Sequence, residues 1–218
     1  MRWLWLAAVV ALTLLGASCG GGGGAGDAAP LLTDDDLREM VVLSSSGLPW
    51  EITPQEDSAK SDEQAAGDFL DAGTWLQNYQ RWGRTGGHQA AFAVSGSDMT
   101  AVETQVESYE SSDGATDAFA ALRGFLASPD AVSTFEAQGF SGIHIDEVNA
   151  ESVGDQSAGY SIRVVASSRA YDTFIVLFRR GVIVATASVG APTGDIVLGD
   201  VDAAAKALDS RIQSVLGR

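Results

Sequence analysis

A hydrolytic or metal site needs histidine, carboxylate, a nucleophile or lysine in a fixed pattern, and this chain offers few such groupings. It has two histidines, His88 and His144, and two lysines, Lys60 and Lys206. His144 and Asp146 lie two apart on an alternating stretch and so share a strand face. With Glu107 or Glu147 they could reach a metal, but structural zinc sites want four ligands, and a polar strand face accounts for the pair. His88 and His144, each with an acidic partner, are also the only bases an exported hydrolase could use. Gly16-Ala17-Ser18-Cys19-Gly20 spells G-x-S-x-G, yet it falls where a signal peptide ends and cannot be a strand-to-helix elbow. No serine stands three residues before either lysine, and there is no H-E-x-x-H, phosphate loop or calcium loop. Accordingly no catalytic residue, metal or cofactor is expected.

Binding has better candidates. Trp75, Tyr79 and Trp82 recur at i, i+4 and i+7, with Trp50 upstream and Arg84 just beyond. Core packing explains such a stripe; a cleft lined by Trp50, Trp75, Trp82 and Arg84 would instead suit a small amphiphile with an anionic group. The run Gly83-Arg84-Thr85-Gly86-Gly87 lets backbone approach a ligand closely. Asp34-Asp35-Asp36 reads as the acidic first turn of a helix, and Arg179-Arg180 as a solvated turn.

Compartment is read from the N-terminus. Met1-Arg2 precedes an apolar run from Trp3 to Leu15, shorter than the ~20 residues needed to span a bilayer, and small residues then lead to Cys19. This is a signal peptide over 1–18. Cys19 is the only cysteine, so no intrachain disulfide can form. Leu15-Gly16-Ala17-Ser18-Cys19 resembles the lipobox of bacterial lipoproteins, with Gly16 where an aliphatic residue is usual. That resemblance implies a diacylated Cys19 and an extracytoplasmic protein anchored to the membrane by lipid. Gly20 to Pro30 is a flexible tether, and residues 31–218 form the globular part.

Without Arg2 the remaining 12 basic residues face 29 acidic ones, a net charge of −17. Such a body is repelled by nucleic acid and by anionic membrane surfaces. The expected partners are therefore the membrane, reached through the lipid, and a small ligand or an envelope protein.

These features sit on a regular series of elements. Thr33 with Asp36 forms a capping box opening a short helix, and Ser61 begins a longer one. Strands are expected at 88–94 and at 100–109, where Val102, Thr104 and Val106 alternate with a solvated face of Glu103, Gln105 and Glu107. A helix from Ser112 or Asp113 carries Ala115, Ala118, Phe119 and Leu122 at helical spacing, and Ser128-Pro129-Asp130 caps another. After a strand at 140–148, Gly159 to Val189 reads as a three-stranded meander, and a helix capped by Asp200 closes the chain. The fold class is α+β: one domain, a mostly antiparallel sheet with helices packed on one or both faces.

Val153 to Ser157, Phe178 to Ala185 and the closing helix from Ala204 to Ile212 resemble uncharacterised exported lipoproteins of GC-rich bacteria. More distantly, the architecture is similar to Mog1/PsbP-like domains and to the extracellular sensor domains of mycobacterial serine/threonine kinases. The kinase sensors carry disulfides that this chain cannot form. The resemblance implies a fold and a compartment, and with them a non-catalytic ligand- or partner-binding domain. An exported hydrolase or a purely structural envelope protein are the alternatives.

Overall fold

The computed structural model describes residues 32–41, 44–45, 48–96 and 101–217. The expected signal peptide, Cys19, the expected tether and the Ser97-Asp98 part of the expected first hairpin turn lie outside them. Elements follow as α1 (Asp34–Val41), β1 (Ile52–Ala59), α2 (Asp62–Ala66), α3 (Ala72–Trp82), β2 (Arg84–Val94) and β3 (Ala101–Tyr109). Next come α4 (Ser112–Leu126), α5 (Pro129–Ala137), β4 (Ser141–Val148), β5 (Gln156–Ala166), β6 (Arg169–Arg180), β7 (Ile183–Pro192) and α6 (Leu198–Leu216).

The strands form one seven-stranded sheet in the order β1-β2-β3-β7-β6-β5-β4, antiparallel at every pairing. Alternation divides its side chains between two cores. Val102 and Val106 of β3, Phe178 of β6 and Ala185 of β7 join Leu37 and Met40 of α1 and Leu208 and Ile212 of α6 in the first. Tyr109, Val184, Leu177 and Tyr160 join Tyr79 and Trp82 of α3 and Ala115, Ala118 and Phe119 of α4 in the second. Helices thus cover both faces of a single α+β domain.

Local chemistry sets the boundaries. The backbone N–H and hydroxyl of Thr33 donate to the Asp36 carboxylate, and Asp36 N–H donates back to Thr33 at 3.2 Å, so the first capping box forms as the spacing predicts. Ser61 and Gln64 make a second box. The single helix expected from Ser61 is instead two, because α2 stops at Gly67 and Asp71 caps α3 anew. The fourth helix is capped one residue before the expected Ser112, with Ser111 accepting from Gly114 N–H. Asp200 lies in the first turn of α6, not at its cap, and accepts from Val197 N–H at 2.8 Å.

The short strand expected at Trp50-Glu51-Ile52 does not form there: β1 begins only at Ile52 and runs on to Ala59. Its sequence, ITPQEDSA, holds proline and acids that disfavour strands, but it is an edge strand with a bulge between Pro54 and Glu56.

Candidate functional site

Cross-strand registers place side chains of the second face in rows. One row runs Ala91, Glu103, Ser188, Ile175, Tyr160 and Glu147 from β2 to β4; the next runs Gln89, Gln105, Thr186, Leu177 and Ala158. Toward β5 and β6 these rows are roofed, since Tyr160, Leu177 and Ala158 are buried in the second core. Toward β2 and β3 they open, with Ala91, Glu103, Gln105, Thr186, Ser188 and Ile175 half-buried.

At the closed end of β3 the polar face expected to be solvated is buried. Glu107 is 3% exposed and is met from four sides. Tyr109 OH donates to its Oε2 at 2.7 Å and Gln105 Nε2 to its Oε1 at 3.2 Å. Tyr79 also hydrogen-bonds it, and Arg84 Nε lies 3.5 Å from Oε1. The strict alternation of Val102, Thr104 and Val106 with Glu103, Gln105 and Glu107 reveals two faces, but not that α2 and α3 fold over the polar one. No signal in β3 alone could have shown this; the partners come from the strand and helices before it.

Arg84 is the centre of this network. Gly83, left-handed at φ 68°, ends α3 and turns the chain directly into β2, so Arg84 starts the strand beneath the helix. Its Nη1 donates to Asp62 Oδ1 at 2.6 Å, its Nη2 to the Lys60 carbonyl at 3.1 Å, and the guanidinium stands 5.2 Å from the Tyr79 ring centre. The side chain has no exposed surface. A Cβ at Gly87 would overlap the guanidinium, so that glycine admits the protein's own arginine where the sequence suggested room for a ligand. Lys60 in turn pairs with Asp68 and donates to Gln105 Oε1 at 3.4 Å.

Burial dominates the acidities here. It pushes the Glu103 carboxyl up to about 7, opposed by Lys60 and reinforced by Asp68 and Glu56. Asp68 is also raised, by burial first, against the pull of Lys60. Tyr79 and Tyr109 are raised by burial and then by the charge of Glu107, which fits their role as donors to it.

The four residues expected to line a cleft do not converge. Trp50 packs against the first core, across the sheet from the others. Trp82 is 5% exposed and belongs to the second core, and Arg84 points inward. Trp75 is half-buried and packs against the second core. Its ring stacks on Phe69 at 3.8 Å, with Phe125 of α4 edge-on at 5.9 Å. Leu70, beside Phe69, is 60% exposed.

The histidines are also apart. On the first face His88 Nε2 lies 2.6 Å from Asp57 Oδ1, and Arg38 Nε lies 2.5 Å from Asp57 Oδ2. The His88 side chain is 7% exposed, which shuts substrate out. His144 and Asp146, 3.1 Å apart, lie exposed on edge strand β4. Three strands separate β4 from Glu107 on β3, so those residues share no metal site. Among the described residues no three His, Cys, Asp or Glu side chains are grouped to hold a metal. Arg179 and Arg180 are paired, with Asp155 and with Asp209 respectively.

No family model and no curated protein matches the sequence. Among described residues no helix is long and apolar enough to cross a membrane. Solved structures do match. The extracellular domain of PknH from Mycobacterium tuberculosis superposes with a TM-score of 0.51 at 10% identity, covering 87% of this chain and 100% of that one. An uncharacterised protein of Mycobacterium smegmatis, an Rv0999 ortholog, gives a TM-score of 0.43 at 11% identity over 83% and 96% of the two chains. What this chain shares with the PknH domain is its fold.

Proposed function

We propose that this chain is an extracytoplasmic domain, anchored to the membrane through a diacylated Cys19, that binds a small amphiphile on the open part of its sheet without transforming it. One observation carries the binding half of this reading. Glu103, Gln105, Thr186, Ser188 and Ile175 are half-exposed neighbours on the second face of the sheet, and the core of that same face is flanked by Trp75, which stacks on Phe69 and meets Phe125 edge-on. Apolar side chains with a few hydrogen-bonding groups are the usual chemistry of a ligand site. The anionic head group suggested by Arg84 no longer fits, because Arg84 already serves Asp62 and Glu107. That patch of the sheet is acidic, so the ligand's polar end is neutral or cationic. The signal peptide with its terminal cysteine and the fold shared with an extracellular domain support the location.

The test of binding is tryptophan fluorescence of the full chain titrated with fractionated envelope lipids and glycans. A fraction should change the signal of the wild type but not of Ser188→Arg, which fills the patch, while both melt cooperatively. Equal responses from the two proteins would remove the site, and no response to any fraction would remove the ligand.

A further inference from the structure

The two edges of the sheet differ. β1 carries Pro54, a register shift between Pro54 and Glu56, and Asp57 held by Arg38 of α1, all of which discourage a further strand. β4 has no proline and brings Ile143, Ile145 and Val148. Its irregularity lies at the start, between Ser141 and His144, where Gly142 is left-handed at φ 57°. From His144 to Val148 it pairs regularly with β5, and no strand lies on its outer side. The His144 and Asp146 side chains, on the first face, are 72% and 58% exposed, so no helix covers this margin.

The first-face rows that end on β4 finish in opposite chemistry. One runs Asp172, Arg163 and His144, with Arg163 donating to both Asp172 oxygens at 2.7 and 3.3 Å, and ends on an imidazole. The next runs Phe174, Ser161 and Asp146 and ends on a carboxylate with no cation in its own row. A two-fold axis perpendicular to the sheet would lay β4 antiparallel to β4 of a second copy. With Ile145 on that axis, each His144 stands opposite Asp146 of the other copy. Moving the axis to His144 or to Asp146 sets like groups face to face, which is unfavourable.

We propose that β4 is a self-association edge: two copies of this chain join through antiparallel β4 strands, Ile145 opposite Ile145, so that their two seven-stranded sheets become one. His144 Nε2 already lies 3.1 Å from Asp146 Oδ2 of its own copy. A carboxylate accepts at two oxygens and an imidazole has a second nitrogen, so the contact across the seam adds to that pair. Both copies keep their first faces, and with them α1, on one side of the joined sheet, which suits two chains anchored in one membrane. The net negative charge opposes the approach of two copies, and physiological salt screens it. The seam lies at the roofed end of the second face, away from the half-exposed patch on β3 and β7, and depends on no ligand.

Cysteine cross-linking of the full chain, in neutral detergent at physiological salt, reads the register. Opposite residues of an antiparallel seam have Cα atoms about 5 Å apart, within disulfide reach. Mild oxidation of His144→Cys chains mixed with Asp146→Cys chains should give about fivefold more dimer than either variant alone or the wild type with its Cys19. Each such dimer keeps one native His144–Asp146 contact. Sedimentation reads the chemistry. The wild type should dimerise, His144→Asp should weaken dimerisation about tenfold, and His144→Asp/Asp146→His should restore it, because the swap returns both opposite pairs. A wild type that stays monomeric up to about 1 mM would overturn the seam and leave the edge to an extended peptide of another protein. A cross-link in His144→Cys alone that equals the mixture, or a folded double variant that fails to dimerise, would overturn it as well.

Discussion

Arg84 donates to Asp62 across 2.6 Å with its guanidinium wholly shielded from water, and that contact fastens α2 to the start of β2. Because Glu107 is buried on the other side of the same arginine, removing the cation strands a buried carboxylate. Arg84→Met should therefore cost ~3–5 kcal/mol in denaturant unfolding. The double variant Arg84→Met/Glu107→Leu should regain part of that loss, since the stranded charge goes with it. A double variant as unstable as the single would show that Glu107 is not what Arg84 neutralises.

How much of this was readable beforehand depends on range. The Thr33–Asp36 box, the Ser128 cap and the β5–β6–β7 meander are local patterns, and each formed as expected. A mostly antiparallel sheet with helices on one or both faces followed from them; that both faces are covered is the structure's finding. The buried network did not, because Glu107 and Lys60 are 47 positions apart in the chain and neither carries a local mark of burial. The tryptophan stripe was legible as a core helix face; which of its members stays half-exposed depended on Phe69 and Phe125, which lie outside that helix.

Stability should fall with rising pH around neutrality through Glu103. Its folded value, about 7, lies above the ordinary 4.5, so the folded state holds the proton more tightly than the unfolded one. The favourable contribution is complete below 4.5 and is lost as pH rises through about 7. Allowing for its partial exposure, Glu103→Gln should gain ~1–3 kcal/mol at pH 8 and little near pH 4.5. Melts of both proteins across this range would show two curves converging on the acid side. Parallel curves would contradict the shift.

The β5–β6 hairpin turns through Ser167 and Ser168, both left-handed at φ 48° and 65°. Two-residue turns of this hand favour asparagine followed by glycine, since serine bears a steric cost there. The double substitution Ser167→Asn/Ser168→Gly should raise stability by ~1 kcal/mol without altering the sheet. A lower melting temperature would mean that the serines make contacts the gain does not cover.

Asp57 joins α1 to the sheet, and its pH dependence runs opposite to that of Glu103. Burial raises its proton affinity, but hydrogen bonds from His88 and Arg38 together outweigh burial and leave it below the ordinary 3.8. Its contribution is therefore present above 3.8 and lost as pH falls through the lower folded value. The Arg38 half of the contact is exposed, so it adds little. The His88 half is buried, and its loss leaves a ring nitrogen unpaired beside the already unpartnered Nδ1. Asp57→Ala should cost ~1–3 kcal/mol at pH 6, with the deficit shrinking below about pH 4 as the wild-type carboxylate takes its proton. His88→Phe should cost a similar amount and leave α1 in place, which separates a structural tie from a catalytic base: on the first reading only stability changes. If His88→Phe instead left stability untouched while abolishing some hydrolysis of an envelope substrate, the hydrolase reading would have to be taken up again.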